Sequence, residues 1–304
     1  MTNEANKPSP TSSTLSWAGN AFGAGSKVTA VRKLTGGISS AMHVLSLEDQ
    51  YGHNHRAVLR QWIDDHEQRG PECVLREAHI LNELKSTDIV APHVLGVDVQ
   101  GSECGHPSLL MTFLDGHVEL SPKDPDDWIS QMVAMLVRIH RANVKAPPAE
   151  SWLNRDSLAV PEWTNDAGLW REALSLLNST PPPTEECFIH HDYQQFNLLW
   201  RRGVLRSVID WVWASNGPSE MDVAHCRLNL SALYSTDFAE EFRLKYVAAS
   251  GRTLVSWWDV AGLLLYLPGW DDFLQTQAGA RKLVDFQGMH ARVEATLRAT
   301  MSRL

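Results

Sequence analysis

Three polar residues in the middle of the chain have the types and spacing that metal-dependent transfer of a phosphoryl group needs. Asp192 and Asn197 lie five residues apart in a loop between two predicted strands, and Asp210 ends the second strand beyond that loop. Carboxylate and amide oxygens are the ligands that Mg²⁺ prefers, and a carboxylate can also accept the proton of an attacking hydroxyl. Each residue alone is compatible with an ordinary turn, but the three in register indicate phosphoryl-transfer chemistry.

The predicted secondary structure that positions these residues changes from mainly strands to mainly helices near residue 115. Before it, the pattern predicts a small antiparallel sheet of strands 28–34, 41–48, 55–63, 94–99 and 108–114, with one helix over 71–85. Beyond it, a helix start at Asp124 and Pro125 opens a mainly helical region, interrupted by strands 196–201 and 204–209. We therefore expect a flexible tail over 1–17, a sheet-rich domain over 18–115 and a mainly helical domain over 116–304.

Composition excludes several classes of protein. The 304 residues carry a formal net charge of −9, which argues against a nucleic-acid partner, since such proteins usually present a basic face. The four cysteines stand alone, so neither a disulfide framework nor a zinc site is expected. No apolar run approaches the ~18 residues of a membrane span, and the polar N-terminus does not resemble a signal peptide. We expect a cytoplasmic protein with no membrane partner.

The motif residues resemble a known family of kinases. Residues 190–197 read HHDYQQFN, which resembles the H-x-D-x-x-x-x-N loop of protein kinases in its small-molecule branch. The usual form in the aminoglycoside phosphotransferase and choline kinase-like family is H-G-D-x-x-x-x-N, then I-D-W or I-D-F, then G-P/D-x-x-x-D. This chain has IDW at 209–211 and GPSEMD at 217–222. The resemblance spans nearly the whole chain, from about residue 28 to the last helices.

That resemblance implies an α+β, protein-kinase-like fold of two lobes, with ATP in the cleft between them and GTP as the alternative nucleotide. It implies that Asp192 is the catalytic base, and that Asn197 and Asp210 bind Mg²⁺. His190 would brace the loop, and Asp222 would support it.

The N-terminal half carries the nucleotide-binding residues that the resemblance implies. A glycine-containing turn between the first two strands matches the family's phosphate-covering turn, Arg60 stands where the third-strand lysine is usual, and Glu77 is its expected partner. The run 109–116 matches the hinge whose backbone binds adenine. The implied nucleotide-binding residues are Gly36, Gly37, Ser39, Ser40, Arg60, Glu77, Met111 and Phe113.

Three departures from the family pattern bear on activity. His191 replaces the usual glycine, and Arg60 replaces lysine, whose point charge a forked guanidinium does not reproduce. Only eleven residues separate Asp210 from Asp222, which leaves no room for an activation loop and argues against a protein kinase. The His191 and Arg60 departures support one alternative, a catalytically silent nucleotide-binding module.

The acceptor stays open at this stage. The resemblance implies a small-molecule hydroxyl, on an aminoglycoside or another amine-bearing compound, or on choline, a macrolide, homoserine or a fructosamine. A cationic acceptor needs carboxylates, and the C-terminal helices offer Glu220, Asp259, Asp271 and Asp272.

Overall fold

The computed structural model describes residues 8–34, 40–63, 69–267, 269–279, 285 and 287–304. The chain divides into two compact units. The first extends to Asp115 and also contains Ile209–Val212, and the second contains Gly116–Val208 and Trp213–Leu304. Segment 209–212, expected in the helical domain, belongs to the first unit because Asp210 bonds to Arg60 there. Three residues of the expected phosphate-covering turn, Gly36, Gly37 and Ser39, lie outside the described residues.

A five-stranded antiparallel sheet of order β1-β2-β3-β5-β4 forms the centre of the first unit. Alternate side chains of neighbouring strands share one face of a sheet, so Leu45, Leu47, Ala57, Leu59 and Leu110 form one buried cluster. The strands are β1 (Lys27–Lys33), β2 (Ser40–Glu48), β3 (Asn54–Trp62), β4 (Val94–Asp98) and β5 (Ser108–Thr112).

Helix α1 (Ser12–Phe22) covers that apolar face, so the expected tail over 1–17 is wrong from Ser12 onward. The Thr11 side chain caps the helix by accepting the Thr14 N–H at 3.3 Å. Ala18 is buried in the sheet cluster, and Leu15 and Phe22 pack against it. The spacing of these apolar residues is helical, but the Pro- and Ser-rich residues before them are typical of a mobile terminus.

Helix α2 (Gly70–Leu84) follows β3, and its bounds agree closely with the predicted helix over 71–85. Pro71 occupies the first turn, where its missing N–H costs no hydrogen bond. Val74, Ala78 and Leu81 form its buried face, and Glu77 is buried with them. The helix therefore holds a carboxylate inside the first unit.

The second unit is mainly helical, and two short antiparallel ribbons, β6–β9 and β7–β8, carry its loops. None of the helices in the described parts of the chain is long and apolar enough to cross a bilayer. The helices are α3 (Pro125–Arg141), α4 (Ala167–Leu176), α5 (Ser219–Leu233), α6 (Thr236–Ser250), α7 (Ser256–Leu263), α8 (Trp270–Ala278) and α9 (Met289–Met301), and the strands are β6 (Glu186–Ile189), β7 (Leu198–Arg201), β8 (Val204–Val208) and β9 (Ser215–Pro218).

Helix α5 lies at the centre of the second unit, where α6, α7 and α9 surround it. Nearly all of its residues are buried, including the polar Asp222, His225 and Arg227. Gly262 of α7 lies directly against Ala224 of α5, so a side chain at 262 would collide with that alanine. This close approach fixes the helix that carries Asp222 and His225.

We expect Gly262→Val to lower the free energy of unfolding by about 1–3 kcal/mol, because the added methyl groups overpack the contact with Ala224. Urea unfolding followed by circular dichroism measures the change. Gly168→Ala in α4 is the control, since only the Asp166 carboxylate lies near the added methyl group. Equal stability of the two variants would contradict the role assigned to the contact.

Candidate functional site

The loop after β6 brings Asp192 and Asn197 into direct contact. A single 3-10 turn, Gln195–Asn197, folds the chain back, and the Asn197 side-chain amide donates to the Asp192 carboxylate at 2.8 Å and to its main-chain oxygen at 2.9 Å. The other carboxylate oxygen of Asp192 accepts from Gln194 at 2.6 Å and from His225 Nε2 at 3.0 Å. Three donors thus fix the orientation of one carboxylate.

The surroundings keep Asp192 ionised. Burial favours the neutral acid, but the hydrogen bond and charge of His225, the charge of His190 and the amide of Asn197 outweigh it and lower the pKa of Asp192. A carboxylate offers about four acceptor positions, and three are occupied here. The side chain is 16% exposed, and its remaining acceptor position has no donor among the described residues.

Asp222 fixes the start of this loop from the first turn of α5. Its two carboxylate oxygens accept the backbone N–H groups of His190 at 2.8 Å and of His191 at 2.6 Å. His140 Nε2 also donates to it at 3.0 Å, and the other ring nitrogen of His140 pairs with the Tyr246 hydroxyl at 2.7 Å. Burial opposes ionisation of Asp222, but His140 and His190 outweigh it and lower its pKa.

His191, the residue that replaces the usual glycine, has the left-handed backbone that glycine adopts readily. Its φ is 70°, a conformation that costs a residue with a side chain about 1–2 kcal/mol. The imidazole stacks on Trp152 with ring centroids 4.5 Å apart and an interplanar angle of 8°. Together with the Asp222 hydrogen bond, this packing offsets the backbone strain, so the departure leaves the loop geometry intact.

A second cluster of charges lies inside the first unit, around Arg60 of β3. Its Nε donates to the Ser40 hydroxyl at 3.1 Å, and its Nη1 donates to Glu77 at 3.1 and 3.2 Å and to Asp210 at 2.7 Å. The Trp62 ring lies 4.8 Å from the guanidinium carbon. The structure therefore brings four of the predicted site residues together at one buried cation.

The charges of this cluster depend on one another. Burial lowers the pKa of Arg60, but the Asp210 and Glu77 carboxylates outweigh it and raise that pKa. Burial raises the pKa of Glu77, and the attraction of Arg60 offsets only part of the increase. Arg60 and Glu77 are almost fully buried, whereas the Asp210 side chain is 34% exposed.

Met111 and Phe113 have different surroundings. Met111 is buried in β5, where it pairs with Val58 of β3 and Val94 of β4. Phe113 lies just beyond the end of β5, and the Arg56 guanidinium lies 4.0 Å from its ring centre. The backbone after Thr112 is therefore outside the strand ladder, as a hinge that binds a base requires.

Asn197 and Asp210 each present an oxygen of the kind that a hard cation prefers. Both hydrogen bonds of the Asn197 side chain use its amide nitrogen, and no described residue donates to its oxygen. Asp210 has a φ of 66° and accepts from Arg60 through one oxygen, while its other oxygen accepts no bond from a described residue. Within the described residues, no group of three or more His, Cys, Asp and Glu side chains has metal-binding geometry.

Two residues of the site were not expected from the sequence, His225 and Trp152. His225 lies three residues after Asp222, so the two share one face of α5, and that spacing was a usable signal. Trp152 lies in an irregular stretch 39 residues before His191, and nothing in the local pattern indicates that the two rings stack.

Comparison with protein families gives one match. The profile of the APH family, described as the phosphotransferase enzyme family, matches residues 30–266. No curated protein matches the chain in sequence.

Solved structures of similar fold include phosphotransferases of two kinds. A predicted aminoglycoside phosphotransferase from Ralstonia eutropha has a TM-score of 0.62 at 14% identity, over 90% of this chain and 92% of that chain. A thermostable variant of the aminoglycoside phosphotransferase APH(4)-Ia, with AMP-PNP and hygromycin B, has a TM-score of 0.61 at 16% identity, over 95% and 99%. The macrolide 2'-phosphotransferase MphH from Brachybacterium faecium has a TM-score of 0.59 at 14% identity, over 88% and 98%. At these identities the likeness establishes the fold.

We expect Asp222→Asn to lower the free energy of unfolding by about 3 kcal/mol at pH 7, because an amide cannot accept from all three donors. The pKa of Asp222 is lower in the folded chain than its ordinary value, so its ionisation stabilises the fold above about pH 4. That contribution is lost as the pH falls through the folded pKa, and the difference between variant and parent should shrink.

Denaturant unfolding at pH 7 and at the lowest pH at which both chains fold measures both effects. Asp237→Asn, at an exposed position of α6, is the control. A penalty that stayed constant between the two pH values would show that the charge of Asp222 does not contribute.

Proposed function

This chain belongs to the phosphotransferase enzyme family, and from that premise we propose that it transfers the γ-phosphoryl group of ATP to a hydroxyl of a small molecule in a Mg²⁺-dependent reaction. The observation that carries the proposal is the ionised Asp192 carboxylate, which Asn197 and His225 hold with one acceptor position available. A carboxylate in this state suits a hydroxyl nucleophile.

Asp192 orients the acceptor hydroxyl and takes its proton. The hydroxyl oxygen forms a bond to the γ-phosphorus, the bond from that phosphorus to the departing ADP breaks, and the proton passes to the carboxylate. Because the pKa of Asp192 is lowered, it is a weak base, and the proton moves late in the reaction. Most of the acceleration then comes from positioning and electrostatics.

Arg60, Ser40 and Glu77 form the proposed phosphate site of the first unit. Glu77 and Asp210 keep the guanidinium charged, and the Ser40 bond fixes its direction. The nucleotide complex of APH(4)-Ia supports a nucleotide donor, with Met111 and Phe113 proposed to lie at the base. GTP is the alternative donor, and a parallel assay of GDP release tests it.

Asn197 and Asp210 would hold the metal through the oxygens that accept no bond from a described residue. Bound Mg²⁺ would neutralise charge on the phosphates. Aminoglycosides such as hygromycin B, bound by APH(4)-Ia, and other amine-bearing compounds are the first acceptors to test.

The proposal is tested by Mg²⁺-dependent ADP release with a panel of hydroxyl compounds. The panel holds hygromycin B, kanamycin, erythromycin, choline, homoserine, glucosamine and neutral aryl alcohols. We expect an acceptor to stimulate release, and Asp192→Ala to lower kcat by about 10²–10⁴-fold while nucleotide binding persists. Asp237→Ala, at an exposed position of α6, is the control.

Full activity of Asp192→Ala would contradict the assignment of that residue. The catalytically silent module would be favoured instead if the chain bound nucleotide equally well with and without Mg²⁺ and no acceptor stimulated ADP release.

We expect Asp210→Ala to abolish the tightening of ATP binding by Mg²⁺, because the variant lacks a proposed metal ligand. The ratio of ATP dissociation constants in EDTA and in Mg²⁺ should fall by more than about tenfold. Isothermal titration calorimetry measures both constants, and Asp237→Ala is again the control. An unchanged ratio would exclude Asp210 as a ligand.

A further inference from the structure

A recess opens in the second unit beside the proposed catalytic loop. Its walls include Trp152, His191, His225, Trp258 and Leu265, and we call it the aromatic recess. His225 is its link to the reaction, since the same ring that lines the recess donates to the Asp192 carboxylate at 3.0 Å. A molecule in the recess therefore lies against the imidazole ring that holds the Asp192 carboxylate.

No aspartate, glutamate, lysine or arginine is among the described residues that line the aromatic recess. Its lining consists of aliphatic and aromatic side chains, one serine, one glycine and the two histidines, and no carboxylate or amine belongs to it. Cationic acceptors need carboxylates at their amino groups, as strong charge-assisted hydrogen bonds require. The lining supplies none.

The carboxylates that the sequence offers for a cationic acceptor have other roles. Glu220 is 2% exposed and accepts from Thr184 and from the backbone of Val255. Asp259 is 5% exposed and pairs with Arg227 and Arg303. Asp271 and Asp272, in the first turn of α8, do not line the recess either. The two buried carboxylates cannot turn to an acceptor without breaking internal bonds.

The walls of the recess are held rigidly. Trp152 stacks on His191 and meets the edge of His225 at 5.5 Å and of Trp213 at 6.0 Å. Trp258 donates from its indole nitrogen to the main-chain oxygen of Pro182 at 3.3 Å. Rigid aromatic walls favour a flat or ring-shaped apolar body, which they can bind with little loss of side-chain entropy.

Resting on the proposed function, we propose that the aromatic recess binds the acceptor, and that the acceptor is an uncharged alcohol with an apolar ring system beside the reacting hydroxyl. The hydroxyl oxygen bonds to the γ-phosphorus of ATP, ADP departs, and the proton goes to Asp192. His225 Nδ1, buried without a partner among the described residues, adds one polar position to the wall. This assigns the acceptor to the neutral members of the panel and not to the polycations.

Direct binding tests the proposal without turnover. The neutral probes are benzyl alcohol, 2-naphthalenemethanol and 4-nitrophenyl β-D-glucoside, and the polycationic probe is kanamycin. Saturation-transfer NMR and isothermal titration calorimetry measure their affinities for the full chain. We expect the neutral probes to bind, and Leu265→Asp and Trp152→Ala each to weaken them about tenfold.

Leu244→Asp is the matched control for Leu265→Asp, because Leu244 is 55% exposed on α6 and outside the recess. It should leave all affinities unchanged. Trp152→Ala introduces no charge, so it keeps the test valid if Leu265→Asp fails to fold. Failure of all three neutral probes to bind would overturn the proposal, as would kanamycin binding more tightly than they do to the parent chain.

Failure of the recess proposal and failure of the proposed function have different signatures. Mg²⁺-dependent ATP binding and slow ATP hydrolysis by water need the nucleotide site but not the recess. If both persist while kanamycin alone stimulates ADP release, the recess proposal is wrong and the phosphotransfer proposal stands. If neutral probes bind but no Mg²⁺-dependent nucleotide binding occurs, the proposed function is wrong.

Discussion

The buried carboxylate of Asp222 is the constraint on which the second unit's site depends. A charge inside a protein is tolerated only when hydrogen bonds replace its lost water, and here two backbone N–H groups and His140 do so. These same backbone hydrogen bonds fix the loop that carries Asp192 to α5. Because α5 also carries His225, one helix sets both the start of the loop and the position of the Asp192 carboxylate. The position of the Asp192 loop thus depends on the hydrogen bonds that stabilise the buried Asp222 carboxylate.

The first unit also holds a buried charge that needs hydrogen-bond partners, and there the charge is positive. Arg60 is a buried cation, and its hydrogen bonds to Glu77, Asp210 and Ser40 replace those that it would make to water. In each unit the polar group at the centre is oriented by several partners at once, so its direction is fixed before any ligand arrives. Because these side chains are already oriented, binding and reaction do not require additional free energy to order them.

Much of this was readable from the sequence, and what was missed has physical reasons. The α+β, kinase-like fold and the phosphotransferase family were what the resemblance of the motifs implied, and the profile match and the likeness to solved structures confirm them. The contact of Asp192 with Asn197 is local. Helix α1 was missed because polar termini rarely pack, and the recess was missed because Trp152 and Trp258 meet through tertiary folding that no local pattern encodes. The left-handed backbone of His191 explains how the loop keeps its path without glycine.

The membership of segment 209–212 in the first unit has a consequence for how the chain is made. A ribosome releases residues in order, so when residue 115 emerges the sheet is complete but Arg60 still lacks Asp210 as its partner. Almost a hundred residues of the second unit must follow before that partner leaves the exit tunnel. The first unit therefore reaches its final charge balance only late in synthesis, and a fragment ending at residue 115 would leave a buried arginine short of one carboxylate.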